Sequence, residues 1–122
     1  MTLDAGALIA VERHSDRMRA LLRQALQRGV PVYVPAGVLA QVWRGANRQQ
    51  PVAALLAHRH VSVVCLDEAQ AKAIGELCGR SATSDVVDAS VVLCSRLTES
   101  TVISSDPADL RRLDPRLTVV PL

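Results

Sequence analysis

The 122-residue chain has little that would mark a membrane, secreted or strongly basic protein. No stretch approaches the ~18 uncharged apolar residues of a membrane span. The start, Met1-Thr2-Leu3-Asp4, has no basic segment, and the short apolar run from Ala7 to Val11 is closed by Glu12. A secretory leader is therefore not expected, and the expected compartment is the cytoplasm. Net charge is only +2, too small to identify a nucleic-acid binder by itself. Lysine is almost missing: Lys72 stands alone against thirteen arginines. Arginine's planar donor fork suits phosphate, although a GC-rich genome would also favour it. The three cysteines, Cys65, Cys78 and Cys94, form no Cys-x-x-Cys pair, and each has apolar neighbours. They read as reduced core thiols.

Several α/β chemistries lack a required residue. There is no Gly-Lys-Ser/Thr phosphate loop, Gly-x-Gly-x-x-Gly turn or Gly-x-Ser-x-Gly elbow. A phosphoacceptor receiver domain needs a lysine near the end of a late strand, whereas Lys72 falls in a helical segment. A haloacid-dehalogenase-like phosphatase needs a second Asp two residues after Asp4, where the chain has Gly6. His58 and His60 are two apart, poor spacing for one helical face, and read as surface residues.

What remains is substantial. Apolar residues are 49% and charged residues 21%, a globular composition. A chain of this size can bury about two thirds of its surface, enough for a core without staples. Short apolar runs at 1–3, 30–34, 61–66, 101–104 and 117–120 predict five strands. Helices are expected over 6–13, 16–28, 36–45, from about Pro51 to Ala57, 67–77, 85–97 and 107–113. The helix over 85–97 is apolar enough to be buried on most sides. Strands reading as continuous apolar runs and alternating with helices imply a parallel sheet covered on both faces. Residues 1–122 are read as one α/β/α domain.

Ligands of open parallel sheets bind beyond the carboxyl ends of the strands. Asp4 follows the first strand, and Ser104-Ser105-Asp106 ends the fourth. Asp85 and Asp88 open the helix leading into the fourth strand. Each has an ordinary reading: Asp106-Pro107-Ala108-Asp109 is a helix-start signature, and Asp4 and Asp85 are candidate caps. Asp88 is harder to explain, because its neighbours Val87, Ala89 and Val91 are apolar and a carboxylate there needs a partner. Clustered carboxylates raise one another's pKa unless a cation neutralises them. Oxygen ligands without Cys or His suit Mg²⁺ or Mn²⁺.

Four segments together, Leu3 to Ala10, Val38 to Gly45, Asp85 to Ala89 and Val102 to Leu110, resemble a PIN domain. More narrowly, they resemble the VapC-type toxins of bacterial toxin–antitoxin pairs. The resemblance implies a PIN-like three-layer α/β/α fold with a central parallel sheet of about five strands. It also implies a Mg²⁺- or Mn²⁺-dependent endoribonuclease. By position, Asp4, Asp88 and Asp106 match the first, third and fourth family acids, as catalytic and metal-ligating residues. Ser104 matches a supporting hydroxyl, and Asp85 is an additional acid for the metal. The family's second acid is normally Glu, and Gln41 stands there. Either Asp85 or Glu12 substitutes, or three acids suffice, or the chain is a silent module that binds RNA or a protein. Arg44, Arg48 and Arg80 are candidates for RNA phosphates. Trp43, on a helix with Val38, Leu39 and Val42, reads as a packing residue. The implied partners are RNA, an antitoxin lying against the early helices, and a second copy in a homodimer. No membrane is implied.

Overall fold

A computed structural model describes residues 1–122. The first strand, β1 (Thr2–Leu3), runs into α1 (Ala5–Glu12) and α2 (Asp16–Gln27). Then come β2 (Val32–Pro35), α3 (Ala36–Val42), a 3₁₀ turn (Asn47–Gln49), α4 (Gln50–Leu56) and β3 (Val61–Val64). The rest is α5 (Glu68–Ser81), α6 (Val86–Thr98), β4 (Val102–Ser104), α7 (Pro107–Leu113) and β5 (Val119–Pro121). All five strands pair in parallel, in the order β3-β2-β1-β4-β5.

Consecutive strand residues point to opposite faces, so an unbroken run of buried residues shows that both faces are covered. β1 and β4 are such runs, whereas the edge strand β3 is not. The core includes the fully buried Leu3, Leu8, Met18, Val34, Val38, Val92 and Val102. Each such side chain contributes about 1.5–3 kcal/mol by leaving water. The polar groups drawn inside are partnered: Thr2 Oγ1 shares a hydrogen bond with Ser100 Oγ (2.6 Å). Asp114 accepts from Arg96 Nε (2.8 Å) and from the Arg116 N–H (3.0 Å). Burial opposes ionisation of Asp114, but these donors and the two arginine charges together hold its carboxyl below the ordinary value.

The chain lays β1, β2 and β3 outward on one side, then returns to put β4 against the other side of β1. The β1–β4 boundary is therefore the switch point of the sheet, where a crevice opens beyond the strand ends.

Two expectations are corrected. The helix over 36–45 stops at Val42, and Trp43 is 40% exposed rather than packed. The cause is Gln49, itself 1% exposed, whose Oε1 accepts from the N–H groups of Arg44 (2.7 Å) and Gly45 (3.0 Å). Its Nε2 donates to Val42 O (2.8 Å), so one side chain replaces the next helical turn. Gly45, at φ +71°, makes the bend that this requires. Gln49→Ala is expected to cost about 2–3 kcal/mol, from three lost hydrogen bonds and the groups left unpaired. Urea denaturation checks this, and an unchanged midpoint would refute it.

Second, Cys65 is exposed, while Cys78 and Cys94 are buried as expected. β3 ends at Val64, leaving Cys65 beyond the sheet. The helix over 85–97 is buried on most sides as expected, with one open flank: Val86 is 56% and Leu97 69% exposed. With Leu66, Ile74 and Leu93 they line an open apolar groove of about 310 Å³ between α5, α6 and the end of β3.

Candidate active site

Asp4 leaves β1 directly into α1, and its Oδ1 accepts from the Ala7 N–H (2.7 Å). The carboxylate is thus an N-cap, 7% exposed, with its second oxygen unengaged. The Asp4 N–H donates to Ile103 O (3.2 Å), which ties this end of β1 to the end of β4. There, buried Ser104 accepts from the Asp106 N–H through Oγ (2.9 Å). Asp106 occupies the cap position of α7, yet its exposed side chain caps nothing. The Pro107 that follows has no N–H, so the helix start asks less of that carboxylate.

Asp85 caps α6 by accepting from the Asp88 N–H through Oδ1 (2.9 Å). That bond fixes Asp88 in the first turn, half-buried, beside a cavity of about 260 Å³. The lining includes Asp85, Asp88, Asp109 and Arg112, the last paired with Asp109 at 3.3 Å. Burial, then the charge and hydrogen bonding of Asp85, then the charges of Asp109 and Asp4, push the Asp88 carboxyl up from 3.8 to about 7. Burial first, and repulsion from these acids second, bring the titration of Asp88 up to the neutral range. Asp109 was missed as a site residue in the sequence because an acid three places after Asp106-Pro107 reads as part of the helix start.

Other expected residues lie elsewhere. Gln41 and Glu12 line a second cavity of about 550 Å³ with Ile9, Arg13, Arg44 and Arg48. There Glu12 pairs with Arg48 Nε at 2.8 Å. Arg44 donates through Nη1 to Ala40 O (3.2 Å) and Trp43 O (2.7 Å), closing off α3. Arg80, in the last turn of α5, lines neither cavity, although Ser81 and Thr83 border the acidic one. Asp106 is not among the groups that shift Asp88. No three acids, histidines or cysteines come close enough to ligate one ion as they stand.

The family comparison follows the same outline. The model of the PIN domain family matches residues 1–114, from β1 through α7. The chain is a PIN domain. No curated protein sequence matches it at a significant level. PIN domains are nucleases in general, typically with divalent metal ions. The matched span takes in Asp4, Asp85, Asp88, Asp106 and Asp109. The donor chemistry fits a hard divalent cation. The acids and Ser104 offer only carboxylate and hydroxyl oxygens, one oxygen of Asp4 is unengaged, and burial together with the neighbouring acids raises the Asp88 carboxyl to about 7.

Proposed function

We propose that this PIN domain is a Mg²⁺- or Mn²⁺-dependent endoribonuclease, the VapC-type toxin of a bacterial toxin–antitoxin pair, acting in the cytoplasm. The observation that carries the reading is Asp88, poised near neutral pKa among Asp4, Asp85 and Asp109 at the switch point of the sheet. Asp4, Asp88 and Asp106 would hold the ion, with Asp85 and Ser104 in support. The bound ion supplies polarisation of a phosphoryl oxygen and an acidified water. Ser104 orients the backbone entering Asp106, Asp85 fixes the turn that presents Asp88, and Asp88 would give up its proton and act as a carboxylate once its neighbours' charge is offset. Arg44, Arg48 and Arg80 are assigned to RNA phosphates; Arg48 keeps its terminal nitrogens free while Nε holds Glu12.

A homodimer is supported by the open apolar groove of Leu66, Val86, Leu93 and Leu97, which lies beside the unpaired edge of β3. The antitoxin rests on the VapC resemblance, and a small upstream gene encoding a DNA-binding, antitoxin-like protein would support it.

A second reading, a silent PIN module that binds RNA or a protein, is favoured by Gln41. An amide there supplies an oxygen but no charge, and Gln41 faces the arginine-lined cavity. Incubation of the purified chain with single-stranded RNA decides between them. Cleavage is expected with Mn²⁺, lost with EDTA and restored by excess Mn²⁺. Intact RNA under all three conditions would reject the nuclease and leave the silent module.

A further inference from the structure

We infer that Trp43 is a nucleobase-stacking subsite that seats single-stranded RNA beside the acidic cluster, an inference resting on the nuclease reading above. Trp43 is the largest of the exposed hydrophobic side chains, 40% exposed just past the end of α3. Its exposure does not come from a loose loop. The backbone on both sides is held from beneath by buried Gln49, through Val42 O, Arg44 N–H and Gly45 N–H. An indole left 40% exposed on a fixed backbone forgoes burial, and a flat partner recovers it.

The surroundings identify that partner. Trp43 lies in the chain between Val42 and Arg44, which both line the 550 Å³ cavity. That cavity holds Arg13, Arg44 and Arg48 against one carboxylate, Glu12, already paired with Arg48. Arg44 is anchored through Nη1 onto Trp43 O and Ala40 O, while its Nε and Nη2 make no hydrogen bond. The guanidinium, anchored at one nitrogen, therefore presents free donors one residue along the chain from the exposed indole. Positive charge tracking a phosphate backbone, interleaved with an aromatic platform, is the arrangement that binds single strands without strong sequence preference. α1 joins this cavity to the acids. Asp4 caps its first turn and Glu12 ends it, about 12 Å away at 1.5 Å per residue. A strand seated in that cavity has about 12 Å to cross to Asp4.

Trp43 is the chain's only tryptophan, so its emission reports this subsite alone. The full chain, kept from cutting by EDTA at low salt, is titrated with oligouridylate and with an abasic ribose-phosphate chain of equal length. Fluorescence anisotropy of the labelled oligonucleotides measures binding independently. Saturable quenching by oligouridylate is expected, with little quenching by the abasic chain when it is bound. Trp43→Ala should weaken oligouridylate binding roughly 5- to 150-fold and abasic binding little, with Trp43→Phe retaining most of the affinity. Arg13→Gln should weaken both chains alike and lower the salt dependence by about one phosphate contact. Circular dichroism confirms that the variants fold. Unmoved emission at saturating RNA, or equal affinity of Trp43→Ala and wild type, would overturn the inference and leave Trp43 for a protein partner. If the RNA is nonetheless cut with Mn²⁺, the nuclease reading survives that result. If anisotropy shows no RNA binding at all, both fall.

Discussion

Asp88→Asn is expected to abolish RNA cleavage while making the metal-free protein more stable. Loss of a carboxylate that binds the ion or takes up a proton should lower the rate by about 10²- to 10⁴-fold. The gain in stability follows from the raised pKa. Unfolded, Asp88 ionises near 3.8; folded, it keeps its proton to about 7 because of burial and the charges of Asp85, Asp109 and Asp4. Between those values the native state binds more protons than the unfolded state, so stability falls as pH rises. The stabilisation from the bound proton is present in full below 3.8 and gone above 7. Unscreened, this would amount to several kcal/mol, at about 1.4 kcal/mol per pH unit. Water reaching the half-buried carboxyl screens it, leaving about 1–2 kcal/mol. The neutral amide avoids that loss, and the backbone N–H of residue 88 still caps onto Asp85. Melting at pH 8 without metal should therefore rise by roughly 3–8 °C in the variant. At pH 4 the two proteins should nearly coincide, and Mg²⁺ should close the gap at pH 8 by stabilising the wild type alone. A variant less stable than wild type at pH 8, or an active one, would refute this account of Asp88.

Much of this arrangement was legible in the residues. The strands at 2–3, 32–35 and 102–104 follow from apolar runs bounded by turn residues, and their order in the chain already placed Asp4 and Asp106 at carboxyl ends. Asp85 and Asp4 were readable as caps because capping is local, a side chain meeting a backbone N–H three residues on. The misreadings share an opposite cause. Trp43 reads as a packing residue because helical periodicity continues through it, whereas the bond that ends the helix comes from Gln49, seven residues beyond Val42. The one open flank of α6 is not legible in the sequence because apolar content cannot say whether a neighbour comes from the same chain. Asp109 was hidden because cap chemistry and site chemistry use the same residue type, and only the fold brings Asp109 to Asp88.

Gly6 shows the same limit most sharply, and the second large effect is expected there. In a helix interior alanine is normally better than glycine by about 1 kcal/mol. In this structure a Cβ on residue 6 would run into Ser105 Oγ and come within 2.7 Å of Ser105 Cβ. Ser105 has no long flexible arm to swing aside, so the 104–106 backbone must move, and with it Asp106. Gly6→Ala should thus cost about 1–3 kcal/mol of overpacking, offset in part by helix propensity. It should also slow RNA cleavage by more than 10-fold, roughly the effect of displacing a reacting group by an ångström. The decisive variant is the double one. Ser105→Gly removes both obstructing atoms, and the next contact, Asp4 Oδ1 at 3.5 Å, is ordinary van der Waals distance. Gly6→Ala with Ser105→Gly should recover the melting temperature and most of the cleavage rate. The coupling between the two sites should be about 1–3 kcal/mol, as for side chains in direct contact. Additive effects of the two substitutions would show that Ser105 does not press on α1, and that the tie between the ends of β1 and β4 runs only through the Asp4 N–H and Ile103 O.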